Sequence, residues 1–306
     1  MQDKDWPLVT VFTLVYNTGK YVVQALESVR ANKYLSIQHI IIDDCSTDGA
    51  SVQIVEQWIR ENKYDCEFIK HEKNQGICKS LNEILALTKG KYMLGVSDDL
   101  LSNTRITDHI KMFEASDENT AIVFSDISII DRGNKVVQDS YFVEVGKDFG
   151  PIPTGNVYYE LLKKNFISAV GVTMRSSSIR EVGGFDDSLY FEDWDLWLRL
   201  SKKYLFKRID EIGGYYRKHD QSVWENNSIK IQESSALLLL KHLSDKKSKA
   251  ITINSIFHFS ENIYKHDSRQ ASKLFLKIFQ VTYSFKALIF FIAGYCRVPY
   301  SYLVRN

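Results

Sequence analysis

Short apolar runs alternate with amphipathic stretches along the first hundred residues. Residues 8–15 form a β-rich run ending in Tyr16-Asn17-Thr18-Gly19, and residues 21–30 follow with apolar positions at helical spacing. The same unit recurs. Residues 39–42 read as a buried strand closed by Asp43-Asp44-Cys45-Ser46-Thr47-Asp48-Gly49, and residues 52–60 read as a helix with capping residues at its start. Residues 67–70, 77–88 and 91–96 predict a third strand, a third helix and a fourth strand that runs into Ser97-Asp98-Asp99. Strands alternating with helices predict parallel βαβ units, whose ligands gather beyond the carboxyl ends of the strands. Those ends carry Asn17, Asp43, Asp44, Asp98 and Asp99, so a carboxylate-lined crevice is expected there.

Regularity declines further on. Residues 105–114 predict a helix, 121–130 a strand, and Arg132-Gly133-Asn134-Lys135 a turn into 136–138. Residues 140–165, which include Pro151 and Pro153, predict a loop with a short helix at 157–163 over the site. A strand at 166–174, a short helix at 176–182 ended by Gly183-Gly184, an amphipathic helix at 194–203 and a strand end at 215–219 follow. From residue 228 the pattern is helical throughout. A boundary falls near 223–229, giving an α/β domain over 1–226 and a helical region over 227–306.

Charge sharpens that division. The chain of 306 residues carries a net +1, but residues 1–229 hold 27 Lys+Arg against 34 Asp+Glu, and residues 230–306 hold 12 against 4. An acidic body argues against nucleic acid as a partner, since phosphate binding needs a basic surface. A basic tail suits anionic lipid or an acidic partner. Cys45, Cys66, Cys78 and Cys296 form no CxxC pair or zinc-finger spacing, so free thiols in a reducing compartment are expected. The first seven residues have neither the basic nor the apolar region of a secretory signal, which predicts a cytoplasmic body.

Two adjacent aspartates at a strand end suit a hard divalent cation bridging a diphosphate, although a polar turn would look the same in isolation. The ordered series is more specific. It runs Val9-Thr10-Val11-Phe12-Thr13-Leu14-Val15-Tyr16-Asn17, Ile41-Ile42-Asp43-Asp44-Cys45-Ser46-Thr47-Asp48-Gly49, Asn74-Gln75-Gly76 and Ser97-Asp98-Asp99. Val182-Gly183-Gly184-Phe185-Asp186, Glu192-Asp193-Trp194-Asp195-Leu196-Trp197-Leu198-Arg199 and Tyr216-Arg217-Lys218-His219 complete it. Across about residues 8–222 this series resembles glycosyltransferase family 2, the inverting enzymes of the GT-A fold. The resemblance implies an α/β fold with a GT-A-type, mostly parallel sheet flanked by helices and an α-helical C-terminal extension.

It further implies a nucleotide-diphosphate sugar donor, UDP-linked by the match, and transfer of a hexosyl or N-acetylhexosaminyl group to an acceptor hydroxyl. Thr13, Tyr16, Asn17, Asp44, Lys79, Asp98 and Arg217 match donor-binding positions. Asp98, Asp99 and His219 match positions around a divalent metal, Mg2+ or Mn2+. Asp193 matches the general base, with Glu192 as its catalytic neighbour. Helix-start acids, a capping Asp and a core Tyr are the structural alternatives for Asp193, Asp44 and Tyr16. Two positions depart from the family's pattern. Val96 stands where the first acid of the Asp-x-Asp motif is usual, and Leu81 stands where many relatives carry an arginine whose charge Lys79 could supply.

The Gln-x-x-Arg-Trp motif of processive members is absent, which favours addition of one sugar, in keeping with bacterial surface-polysaccharide assembly on a saccharide acceptor, lipid-linked in that setting. The tail over 275–304 mixes Phe and Tyr with Lys277, Lys286 and Arg297. Its apolar stretch 287–296 is too short to span a bilayer, so an interfacial helix at the inner face of the plasma membrane competes with a packed helical cap. A nucleotidyltransferase would bring a Gly- and Lys-rich triphosphate loop, which is not found. A non-catalytic sugar- or nucleotide-binding module on the same fold would show donor binding without transfer.

Overall fold

The computed structural model describes residues 6–219 and 229–304. The expected boundary at 226/227 and residues 1–5 lie outside the described residues. Two compact units emerge: residues 1–161, 165–187 and 192–222 in the first, and residues 162–164, 188–191 and 223–306 in the second.

The first unit is built on one mixed sheet flanked by helices. Strands β1 (Val9–Val15), β2 (Ile37–Asp43), β3 (Glu67–Lys70) and β4 (Tyr92–Gly95) are mutually parallel and ordered β3-β2-β1-β4. They are joined by α1 (Gly19–Arg30), α2 (Ser51–Asn62) and α3 (Ile77–Leu87). Val9, Val11 and Val15 of β1, Ile40, Ile41 and Ile42 of β2 and Tyr92, Met93 and Leu94 of β4 are buried, as expected of parallel strands covered by helices on both faces. Val15, Val22, Leu26, Ile41, Val55 and Trp58 form one apolar cluster beneath α1 and α2.

Beyond β4 come β5 (Leu100–Leu101), α4 (Arg105–Glu114), β6 (Thr120–Ile130), β7 (Val136–Gln138), α5 (Tyr141–Phe149), α6 (Tyr158–Lys163) and β8 (Val172–Arg175). The unit ends with α7 (Ser176–Glu181), α8 (Asp193–Ser201) and β9 (Leu205–Arg217). The sheet continues from β4 through antiparallel β8 to β6, then through parallel β9 to β5. Because β8 runs against both β4 and β6, the carboxyl ends of β1, β2, β4, β6 and β9 share one sheet edge with the start of β8.

Several elements differ from the sequence expectation. The strand expected over 166–174 is confined to Val172–Arg175, preceded by a 3-10 turn at Ala169–Gly171. The buried Arg105 guanidinium sits against this segment, Nη1 donating to Val170 O at 2.5 Å and Nη2 to Val172 O at 2.6 Å. Residues 141–149 form a helix rather than a loop. Ser140 caps it by accepting from Val143 N at 3.0 Å, while the Asp126 carboxylate accepts from Ser140 Oγ at 2.5 Å and Phe142 N at 2.9 Å. β9 begins ten residues before Tyr215, at Leu205. At Gly213 a Cβ would lie 1.9 Å from Ser125 Oγ, so a side chain there would collide with β6.

The second unit contains α9 (Ile229–Leu240), α10 (Lys246–His266), α11 (Ser268–Thr282), α12 (Phe285–Tyr295) and α13 (Tyr300–Leu303). Asp245 and Asp267 cap α10 and α11, each accepting two backbone N–H groups. Tyr264, Phe275 and Phe290 pack as its aromatic core, with Phe275 and Phe290 ring centroids 4.8 Å apart. Among the described residues no helix is long and apolar enough to cross a membrane.

Candidate active site

The loop after β1 turns at Asn17, whose φ of 57° is left-handed, a conformation Asn tolerates better than most residues. Its side-chain oxygen accepts from Thr47 N at 2.7 Å and Asp48 N at 3.1 Å, and its own N–H donates to Ser46 Oγ at 2.9 Å. Asn17 thus joins the β1 and β2 loops. Tyr16 beside it is exposed, an aromatic face open to a planar ligand. Thr13 is fully buried and hydrogen-bonds His39 Nε2 at 3.0 Å, so it supports the strand from inside.

Asp44 is buried at the end of β2. Its Oδ1 accepts from His71 Nδ1 at 2.7 Å and Gln75 N at 2.8 Å, and its Oδ2 accepts from Gly76 N at 2.9 Å. The opposite nitrogen of His71 lies 3.0 Å from Glu83 Oε2. Both ring nitrogens of His71 thus face carboxylate oxygens, an arrangement that favours the protonated ring. Burial alone would lower the His71 pKa, but hydrogen bonds to Asp44 and Glu83 and their charges raise it overall. Asp44 therefore anchors the 74–76 turn from which α3 starts. Lys79, on the first turn of α3, is exposed, whereas Leu81 is buried in the core.

At the end of β4, Asp98 and Asp99 diverge. Asp98 Oδ2 lies 2.6 Å from His219 Nε2, while Asp99 Oδ1 accepts the backbone N–H of Arg217 at 2.7 Å. Burial, then the Asp98 charge, holds the Asp99 carboxyl well above its ordinary pKa, against the opposing pull of the Arg217 amide and guanidinium. The Arg217 side chain is fully buried. It donates to Asp98 O at 2.8 Å, Asn134 Oδ1 at 2.5 Å and Gln24 Oε1 at 2.8 Å, with its guanidinium 4.7 Å from the Tyr21 ring centre. These contacts make Arg217 a brace joining α1, the β4 loop, the β6–β7 turn and β9.

Among the described residues no group of three or more His, Cys, Asp or Glu side chains is gathered for a metal ion. Asp98 and His219 nevertheless fit part of a divalent cation's shell, one carboxylate oxygen and one imidazole nitrogen in mutual contact, with 24% of the Asp98 side chain exposed. The remaining donors would come from a diphosphate and water.

Asp193 opens α8, preceded by Glu192. Asp193 Oδ1 accepts its neighbour's backbone N–H, from Trp194, at 2.6 Å, and Oδ2 accepts from Asn165 Nδ2 at 3.0 Å. Burial pushes the Asp193 pKa up to about 6, against those two hydrogen bonds; burial and then the Asp193 charge push Glu192 up to about 8. Burial, and next the charge of Glu192, lifts the Cys78 thiol on α3 to about 12, so the α8 acids lie within electrostatic reach of α3. Burial and the Asp193 charge likewise lift the Tyr141 phenol on α5 to about 12. Asp195 is buried and paired with Arg199 at 2.7 Å.

The sheet edge thus gathers the β1 and β2 loops, the Asp98–His219 pair and Arg217, with Asn165 leading toward β8 and bonded to Asp193. Sequence reading missed His71, Glu83, Asn165, Gln24, Asn134 and Tyr141. His71 follows β3 directly and could have been found by the strand-end rule applied to Asp44 and Asp98. The others carry no local signal.

The result is a carboxylate-lined edge on an α/β sheet. The chain belongs to glycosyl transferase family 2, whose family model matches residues 10–182. It is 28% identical over 259 residues to an uncharacterized glycosyltransferase of Rickettsia typhi, covering 82% of this chain and 77% of that protein. Another uncharacterized glycosyltransferase, from Rickettsia bellii, is 25% identical over 64% of this chain but only 27% of its own length, so the chain spans from about a quarter to about three quarters of the curated relatives it matches. Among solved structures, S. aureus TarS 1–349 in complex with UDP-GlcNAc aligns with a TM-score of 0.63 at 17% identity, over 96% of this chain and 91% of that one. The mannosyltransferase PcManGT of Pyrobaculum calidifontis, in complex with GDP-Man and Mn2+, aligns with a TM-score of 0.60 at 15% identity, over 98% and 86%. The fold is GT-A, and the protein is a glycosyltransferase.

Proposed function

We propose that this chain transfers one sugar, with inversion, from a UDP-linked donor to an acceptor hydroxyl, with Asp193 as general base. The observation that carries the reading is the placement of Asp193 at the start of α8, its Oδ2 held by Asn165 Nδ2 at 3.0 Å, where burial raises its pKa to about 6 and suits it to accept a proton. The UDP-GlcNAc bound by TarS, which shares the fold, supports the donor class and an N-acetylhexosaminyl or hexosyl group.

In this reading Tyr16 stacks on the base, and Asp44 and Asn17 hold the loops around the nucleotide. Asp98 and His219 would hold a divalent cation, and the chemistry it would supply there is neutralisation of negative charge on a diphosphate leaving group. Asp99 and Arg217 fix the strand end that presents Asp98. Asp193 takes the acceptor proton as the hydroxyl attacks the anomeric carbon from the face opposite the nucleotide. Glu192, still protonated at neutral pH, donates a hydrogen bond toward the acceptor. The acceptor is a saccharide of bacterial surface-polysaccharide assembly, carried on lipid at the cytoplasmic face of the membrane, in keeping with the basic, aromatic second unit.

Asp193→Asn tests the chemical step, because it keeps size and hydrogen bonding but cannot accept the proton. Turnover should fall about 10²–10⁴-fold with UDP affinity within twofold of the parent. Near-normal turnover, or a product with the donor's anomeric configuration by NMR, would refute the assignment.

A further inference from the structure

We propose that the outer face of α12 is a docking surface for an anionic lipid bilayer, deepening the membrane part of the reading above. Helix α12, FKALIFFIAGY, has one charged residue and is apolar on both sides. Ala287, Phe290, Ala293 and Gly294 form its inner side; Phe290 packs on Phe275 and Tyr264, and a Cβ on Gly294 would lie 2.5 Å from Ser268 O. Its other side remains outside that packing. Phe285, Ile289, Ile292 and Tyr295, spaced to share one helical face, are 74%, 41%, 52% and 69% exposed. Val281 and Tyr283 at the end of α11 are 50% and 81% exposed and extend the patch. An apolar stripe of that extent on a folded unit marks an interaction site.

Charge selects the occupant. Residues 268–304 hold Arg269, Lys273, Lys277, Lys286 and Arg297 and no Asp or Glu. Lys273 and Lys277 on α11 and Arg297 after α12 are exposed. Lys286 pairs with Glu261 at 2.7 Å, with its ammonium 4.9 Å from the Phe257 ring centre. Exposed aromatics and aliphatics on a stretch whose exposed charges are all cationic match the boundary between anionic headgroups and acyl chains, where the apolar stripe buries shallowly and the cations meet phosphates. A helix of 11 residues rises about 16 Å, roughly half a hydrocarbon core, so α12 lies in the interface rather than across it.

The test is co-sedimentation of the full chain with phosphatidylglycerol–phosphatidylcholine vesicles and with phosphatidylcholine vesicles, at low and high salt. Binding is expected to the anionic vesicles and to weaken with salt. Ile289→Asp/Ile292→Asp should lower the vesicle partition coefficient roughly tenfold or more, with melting temperature and UDP affinity unchanged. Lys273→Glu/Lys277→Glu should weaken binding chiefly at low salt. Failure to bind anionic vesicles at low salt, equal binding by the Ile289/Ile292 variant, or a lipid-free dimer that this variant dissolves would each overturn the proposal, the last by assigning the face to a second copy. UDP affinity, measured on the same samples, separates failure of lipid docking from failure of the donor reading.

Discussion

Asp44→Asn removes one formal charge and one acceptor oxygen from a buried carboxylate whose three recorded partners are all N–H donors. A carboxamide has a single oxygen. If its NH2 group faces Gly76 N, that donor is left unpaired, and if it faces the other way His71 and Gln75 both lose their acceptor. The better orientation therefore costs about 1–3 kcal/mol for one buried unpaired donor. Replacing a charge-assisted bond to His71 with a neutral one adds roughly 1 kcal/mol. A loss of about 2–4 kcal/mol is a large share of the usual 5–15 kcal/mol of stability. With a urea m-value of about 3 kcal/mol/M, the midpoint should fall by about 1 M. Four of the five tryptophans, Trp6, Trp58, Trp194 and Trp197, belong to the first unit, so intrinsic fluorescence reports chiefly its unfolding. The pH dependence supplies a sign. His71 has its folded pKa raised above the unfolded value of about 6.5, so its stabilisation is complete below that value and is lost as pH rises through the folded one. The gap between parent and variant should shrink from pH 6 to pH 9. A midpoint change under 0.2 M at pH 6, or a gap that widens with pH, would refute the account of this network.

How much of this was legible follows from where each signal resides. β1, β2 and β4 announced themselves because parallel strands covered on both faces read as unbroken apolar runs, as in Ile40-Ile41-Ile42. The first part of β9 did not, since Lys207, Arg208, Asp210 and Glu211 give it the look of a polar loop, and its pairing with β6 includes register shifts near Ser125 and Asp126. Helix α5 depends on Asp126, 14 residues before its cap, an interaction no local pattern encodes. At the site, strand-end logic located Asn17, Asp44, Asp98 and Asp99, and the order of motifs singled out Asp193 and His219. It could not reveal that the Arg217 guanidinium is enclosed by Gln24, Asn134 and the Asp98 carbonyl, 193, 83 and 119 residues away. A basic residue near predicted phosphates looks like a phosphate ligand in sequence, and only burial distinguishes a brace from a contact.

Arg105→Met should lower the melting temperature severely, because the carbonyls of Val170, Val172 and Gly213 would lose a buried donor and each unpaired group costs about 1–3 kcal/mol; a change under 2 °C by calorimetry would contradict that role. Asp98→Ala and metal removal by EDTA should each depress UDP-sugar binding by calorimetry, and EDTA should have little further effect on the variant; an equal EDTA response in parent and variant would separate Asp98 from the cation. The last prediction concerns the pH profile of transfer. Asp193 must be ionised to act, so kcat/KM should rise with pH through about 6, a macroscopic value shared with its neighbour. Glu192 keeps its proton until about 8, so across the rise it is neutral and exerts little charge on Asp193. Glu192→Gln mimics that protonated state, and the lower limb should therefore stay within about 0.3 pH units of the parent, while any decline near pH 8 caused by Glu192 ionisation disappears. A lower limb that moves down by a full unit would mean Glu192 is already charged at pH 6, and the two carboxylates would then have to exchange their assigned protonation states.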